Sequence, residues 1–289
     1  MSRGSAGTRA LQLLTAGVLA WGLWHLLGWG LWRAEFRPDA AACQALAHAG
    51  ACWGVVSAKA GTLLWGLPHD GAWWQPASWQ GLPLTLGVGL VSYVCSWPLA
   101  VALALARRSH WRALAWSASA VIETVRGAPL VIWLFMAAFL LPRLLPTPDS
   151  LSLAARVMLV MSVFSAAYLA EVCRAGLQTV PAAQREAADT LGLGWVGTQW
   201  RIVWPQALRN VLPALTSHAI GLLKDTSLIT IVGLHELTGG LGLSLGGDPV
   251  WRPFYFEAYL FIGAVYALMC TALAALGRWL EARWPAIAG

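Results

Sequence analysis

Charge is scarce in this sequence. Only 11% of its 289 residues are Asp, Glu, Lys or Arg, less than half of the roughly 25% found in a soluble domain. So few charges cannot coat a globular surface of this size. That excludes an ordinary soluble enzyme, a disordered chain and a nucleic-acid binder. Lysine is rarer still, with Lys59 and Lys224 the only two. Lys59 follows Ala58 and Lys224 follows Leu223, so neither completes the Gly-Lys-Ser/Thr of a phosphate-binding P-loop. The chain therefore carries no Walker-type ATPase of its own. Five cysteines make no disulfide scaffold. The histidines are scattered and form no metal-ligand set. His235-Glu236 opens a zinc motif, but Gly239 stands where its second histidine belongs. Gly192, Gly194 and Gly197 spell G-x-G-x-x-G without the preceding strand that a dinucleotide site needs. Gly242, Ser244 and Gly246 spell a nucleophile elbow, yet His235 is the last histidine and lies upstream.

What the sequence has in quantity is apolar surface. Hydrophobic residues reach 58%, mean hydropathy is +0.62, and there are 19 tryptophans, whose indoles favour the bilayer interface. The net charge of +6 fits a membrane protein with basic cytoplasmic loops and implies no acidic ligand.

Apolar runs place the spans. Leu11 to Trp32 has His25 as its only ionisable side chain. It is longer than a signal-peptide core and lacks a small-residue cleavage site, so it reads as an uncleaved first span. Leu82 to Ala106 is charge-free, and its Pro98 predicts a kink. Gly127 to Pro142 is short and needs Ala113 to Val125 to complete a crossing. Val157 to Ala170 and Val211 to Leu223 are short enough to suit re-entrant segments as well. Ala258 to Gly277 is the last. The fold class is an all-α polytopic membrane protein of about six transmembrane helices.

Six spans from a cytoplasmic start put both termini inside. Ten arginines then fall inside, and six basic residues, Arg33, Arg37, Lys59, Arg143, Arg156 and Arg252, fall outside, a modest positive-inside bias. The organisation is a first helix (1–32), an outer loop (33–80), a transmembrane core (81–283) with a cytoplasmic loop (176–204), and a tail (284–289). Residues 45–67 could tempt a span assignment, but Lys59 lies at their centre, so they read as a loop on the outer surface. Cys43 and Cys52 lie in that loop. They pair if that side is oxidising, and otherwise remain two small apolar side chains. Cys95, Cys173 and Cys270 lie in spans and read as packing.

The most polar stretch runs Gln184-Arg185-Glu186-Ala187-Ala188-Asp189-Thr190-Leu191-Gly192, then nine residues, then Ile202-Val203-Trp204-Pro205. Glu186, Ala187 and Ala188 favour helix, Gly192 permits a sharp turn, and Pro205 suits the first turn of a new helix. The pattern resembles the EAA loop of ABC importer permeases, with Trp204 where those have leucine. Glu123-Thr124-Val125-Arg126-Gly127-Ala128-Pro129-Leu130 resembles a segment of their polar amino acid branch. Ala167 to Leu177 and Leu223 to Leu228 resemble two more. The first span and the Gly50 to Trp53 loop are similar to the general L-amino-acid members.

The resemblance implies a coupling loop of Arg185, Glu186, Ala187, Ala188, Gly192, Ile202 and Pro205 that docks on a separate ATPase. It implies two ATP-binding subunits, a second permease chain or a second copy of this one, and a periplasmic amino-acid-binding protein, in a bacterial inner membrane. This chain would bind no cofactor, and ATP and magnesium would belong to the ATPase. The alternative is a secondary transporter or channel driven by an ion gradient. An intramembrane enzyme is a third class, but no convergent nucleophile and base support it.

Charges inside a bilayer are usually paired or functional. Glu123 and Arg126 are three residues apart, as are Glu171 and Arg174, so each pair shares a helical face. Each either neutralises itself or takes part in the transport cycle. Lys224 and Asp225 are adjacent and point about 100° apart. With the Thr226 and Ser227 hydroxyls, they could receive an amino acid zwitterion or pair with neighbouring helices.

Overall fold

The computed structural model describes residues 3–46, 49–66, 79–144 and 151–285. Among the described residues there is no strand. Two isolated bridges, Glu35 with Cys52 and Gly81 with Glu236, tie loops together. Helix α1 (Arg3–Leu27) continues through a π-helical turn, Gly28–Trp32. Two short helices follow, α2 (Ala40–Ala45) and α3 (Gly54–Trp65), and then the long α4 (Gly81–Arg107). Next come α5 (Arg112–Gly127), α6 (Leu130–Phe135), a π-helical turn and α7 (Leu141–Leu144). The long α8 (Leu153–Thr179) leads into α9 (Ala182–Thr190), α10 (Trp195–Thr198) and α11 (Trp204–Asn210). The chain closes with α12 (Leu212–Asp225), a 3-10 segment (Thr226–Val232), α13 (Leu237–Gly246) and α14 (Tyr255–Arg283).

Four stretches are long and apolar enough to cross a bilayer: Gly7–Trp32, Gly81–Arg107, Leu153–Thr179 and Arg252–Arg283. They are the first, second, fourth and sixth expected spans. The helix α4 runs unbroken through Pro98. The third expected span is not one rod, because α5 and the helix starting at Leu130 meet at 97°. Ala128 is extended there, at φ −101° and ψ 142°, as the residue before a proline prefers. Pro129 has no amide to continue the ladder. The fifth expected span stops after 14 residues and tightens into the 3-10 segment, short of the ~20 residues a crossing needs. The sequence reading did not foresee α13, a ten-residue apolar helix. The expected six spans are thus four long helices, one bent pair and the short α12.

Helices α4 and α8 lie side by side and run the same way. Ser92 Oγ donates to the Met158 carbonyl at 3.4 Å, Ser165 Oγ donates to Ser96 Oγ at 3.2 Å, and Arg107 meets Glu171. These contacts mark three successive levels. Lipid tails are as apolar as leucine, so close packing rather than apolar burial joins such helices. Gly277 illustrates this, since a Cβ there would lie 2.3 Å from Thr216 Cγ2. The backbone of α14 therefore approaches α12 closely.

One end of the bundle gathers arginines and the α9–α11 loop. The other end carries α2, α3 and a joined pair of cysteines. At that second end, Leu63 of α3 packs with Leu237, Leu241 and Leu245 of α13 and Ile262 of α14. The stretch 45–67, expected as a surface loop, is thus largely the helix α3, twelve residues long and too short to cross. Of that expected loop, 47–48 and 67–78 lie outside the described residues, as do 286–289 of the tail. The first helix packs little: its apolar stretch is not buried, and Leu13 is 75% exposed. Its attachment is at its far end, where Trp53 Nε1 donates to the Gly30 carbonyl at 2.7 Å and Trp29 meets Phe256 edge-on.

Candidate functional site

The α9–α11 loop is built by local signals. Pro181 precedes α9 with φ −57° and ψ 145°. The Gln184 amide bonds to its carbonyl at 3.2 Å. Arg185 turns back and donates to the Leu177 carbonyl at 3.0 Å, which ties α9 to the end of α8. Ala188 is buried, while Glu186 and Ala187 are exposed. Gly192 has φ +74° and open space around it, a conformation that disfavours any side chain. Its amide bonds to the Asp189 carbonyl at 3.0 Å, and that of Leu193 to Ala188 at 3.1 Å. The chain thus reverses after a two-turn helix. Pro205 sits in the first turn of α11.

Trp204, in the apolar slot before Pro205, is 3% exposed. It packs with Ala104, Cys173, Leu177 and Val203, so the slot accepts a larger side chain than leucine. Beyond the motif, Leu191, Trp195, Val196 and Trp200 are 79%, 62%, 61% and 58% exposed. Four large apolar side chains on the most polar segment of the chain make a ready interaction surface. The sequence reading missed them, although their density within a loop was legible.

The expected pair of Glu123 with Arg126 is not formed. Glu123 instead accepts from Arg107 at 3.3 Å. Arg126 lies over the Tyr168 ring, 5.0 Å from its centroid. The helix ends at Gly127, and the break there frees Arg126 to reach across to α8. Glu171 and Arg174 do pair, at 3.0 Å, and the other Glu171 oxygen meets Arg107. The result is one chain, Glu123–Arg107–Glu171–Arg174, that links α4, α5 and α8 at the arginine-rich end.

Among the described residues, neither Lys224 nor Asp225 has an ion-pair or hydrogen-bond partner for its side chain. Lys224 is exposed and Asp225 half-buried. The Thr226 and Ser227 hydroxyls donate to the carbonyls of Leu223 and Lys224, at 2.7 and 2.8 Å. They are engaged by their own helix, leaving only lone pairs for anything else. One turn after another along α12 stand His218, Gly221 and Asp225, spacings that share a face. Gly221 has nothing within 4 Å of where its Cβ would be. His218 Nε2 lies 2.8 Å from Ser165 Oγ, and its ring stacks on Tyr168 at 6.1 Å. The sequence reading missed His218 because it forms no motif.

It weighed Glu236 only in a rejected zinc motif and missed its packing role. This carboxylate is fully buried and accepts from Thr230 Oγ1 and Tyr266 Oη, both at 2.7 Å, and from Thr85 Oγ1 at 3.4 Å. It also caps α13 by accepting from the Thr238 and Gly239 amides, at 2.9 and 3.0 Å. The signal was an acidic residue just ahead of an apolar run, an N-cap pattern. At the same end, Cys43 and Cys52 are disulfide-bonded with Cα atoms 5.4 Å apart. The Cys52 amide donates to the buried Glu257 at 3.1 Å.

Residues 96–284 match the family described as binding-protein-dependent transport system inner membrane component. The glutamate/glutamine/aspartate/asparagine transport system permease protein BztC of Rhodobacter capsulatus is 38% identical over 201 residues. The match covers 70% of this chain and 46% of that protein. The inner membrane amino-acid ABC transporter permease protein YhdY of Escherichia coli is 35% identical over 246 residues, 83% of this chain and 66% of that one. The chain therefore spans about half to two thirds of these two relatives. Among solved structures, a crystal structure of an amino acid ABC transporter with histidines aligns with a TM-score of 0.60 at 28% identity. It covers 69% of this chain and 90% of that one.

Proposed function

Because the chain belongs to the family of binding-protein-dependent transport system inner membrane components, we propose that it is the transmembrane permease subunit of an ATP-driven amino acid importer. The carrying observation is the α9–α10 turn at Gly192, which displays Leu191, Trp195, Val196 and Trp200 to whatever lies beyond the membrane. A short helix with an apolar flank suits a groove on a partner protein. In this reading the partner is the ATP-binding subunit, present twice, and ATP and magnesium are held there. The arginine-rich end, with the start of α1 and the end of α14, faces the cytoplasm, as the positive-inside rule favours. A second permease chain or a second copy completes the path, and an amino-acid-binding protein delivers substrate to the disulfide end.

The substrate class is read from two features. The relatives' names include amino acids in both cases. Lys224 and Asp225 offer an ammonium and a carboxylate, unpaired within the described residues, to the two charges of an amino acid. Nucleotide binding closes the ATPase pair, the docked loop moves with it, and the bundle alternates between inward- and outward-open. Glu186→Arg and Gly192→Trp leave the chain in the membrane and abolish co-purification of the ATP-binding subunit. Normal co-purification with both variants overturns the coupling role of the loop.

A further inference from the structure

A cleft of about 660 Å³ opens at the arginine-rich end between the end of α4, the α4–α5 turn and the α9–α10 loop. Its two halves differ in chemistry. One wall is apolar and continuous with the membrane helices: Ala102 and Leu105 of α4, Leu114 of α5 and Leu177 of α8. The rim is polar and basic, with Arg108, His110, Arg185 and Gln199, and a single carboxylate, Asp189.

The rim holds more positive charge than the chain neutralises. Arg107 and Arg174 are occupied by Glu171 and Glu123. Arg108 has no ion partner among the described residues. Partial burial, then the neighbouring Arg185 and Arg174, hold its guanidinium below the ordinary value. Arg185 is fixed by the Leu177 carbonyl, yet its buried Nε–H has no hydrogen-bond partner among the described residues. A buried donor left unmade costs free energy until something accepts from it. Exposed tryptophans stand on its α5 side: Trp111 at 69% and Trp116 at 75%. Such a belt marks the headgroup level of a bilayer.

The geometry points to a binding site for an anionic phospholipid, its phosphate between Arg108 and Arg185 and its acyl chains along the Ala102–Leu114 wall. Basic pockets at helix ends on one membrane face take acidic lipid headgroups in this way. An acidic peptide would satisfy the arginines and leave the apolar wall uncovered, whereas a lipid covers both. The inference stands apart from what the chain transports. Arg185 and Asp189 are four apart and share the face of α9 that lines the cleft. Glu186 lies on the neighbouring face, so a lipid here and a docked partner can occupy α9 together.

The test is native mass spectrometry of the full chain in mild detergent, titrated with phosphatidylglycerol or with phosphatidylcholine of the same acyl chains. The expected result is preferential retention of phosphatidylglycerol. Arg108→Gln and Arg185→Gln each weaken it about fivefold, the size of one basic residue's attraction to an acidic lipid surface. Arg108→Lys retains the lipid, which separates lost charge from lost fold. Arg143→Gln, outside the cleft, changes nothing. Equal retention of the two lipids overturns the assignment, as does an unchanged affinity in Arg108→Gln. Displacement of the lipid by millimolar inorganic phosphate also overturns it, because the site would then take a free anion.

Discussion

At the scale of single residues, few side chains hold much. Glu236 is the clearest, since one carboxylate serves α4, α13, α14 and the 3-10 segment. Removing it strands several buried donors at once, at about 1–3 kcal/mol for each left unsatisfied. Glu236→Ala is therefore expected to lower stability by about 3 kcal/mol or more, and Glu236→Gln by less, as read by titration into denaturing detergent. A loss within 0.5 kcal/mol for Glu236→Ala would remove the hub from the account. At the disulfide end, Lys59 and Asp248 meet at 2.7 Å. The Lys59 contact holds the Asp248 carboxyl below its ordinary 3.8. A depressed carboxylate stabilises the fold above its ordinary value and loses that contribution as pH falls through the depressed one. Asp248→Asn is therefore expected to lower the melting temperature slightly at neutral pH and to converge on the parent as pH falls well below 3.8. A constant gap across that range would contradict the pairing.

At the scale of elements, three of the four long helices were legible in the sequence as full spans, α8 showed only as a short apolar run, and the broken helices were not legible. Charge-free runs of about 20 residues or more located α1, α4 and α14 because the bilayer sets that length. The end of α5 was misjudged because hydropathy averages across Ala128 and Pro129, while the break depends on the backbone of two residues. The helix α12 follows the apolar run Val211 to Leu223 read from the sequence and ends at Asp225, too short to cross. The polar run Lys224 to Ser227 marks its end in the sequence, but the tightening to 3-10 from Thr226 has no signal in composition. Within the candidate site, the turn at Gly192 was legible from local propensity. The Glu123–Arg107 contact was not, since it joins α5 to α4 across sixteen positions, a separation no local pattern encodes. Two predictions belong at this scale. Cys43→Ser removes a cross-link over a separation of 9 residues, worth about 2.5 kcal/mol in the chain-entropy picture. It should free α2 and α3 to earlier hydrogen exchange while α4 and α8 keep their protection. Unchanged exchange in α3 would contradict it. Gly277→Leu should force α14 off α12, because its Cβ alone would overlap Thr216. Wild-type stability in that variant would mean the two helices do not pack as seen.

At the scale of the whole molecule, the two ends do different things. The disulfide end is a packed cap in which α2 and α3 sit on α13 and α14. The arginine-rich end is open, with a basic cleft, a four-member ion-pair chain and an apolar flank presented by a polar loop. Between them the α12 face of His218, Gly221 and Asp225 offers polar groups beside open space. The proposed importer would use that division to take solute at one end and its driving force at the other. In the proposed function that force comes from a second protein, and the α9–α10 turn, with Leu191, Trp195, Val196 and Trp200 exposed, is the element offered to it.

The most direct measurement is amino acid uptake into proteoliposomes holding this chain, a cognate ATP-binding subunit and a binding protein, with ATP supplied on the loop side. Uptake is expected to require ATP and the ATP-binding subunit together. It is expected to fall to background with Gly192→Trp while the chain stays folded in the bilayer. Sustained uptake without nucleotide, or undiminished uptake through the Gly192→Trp chain, would contradict the account.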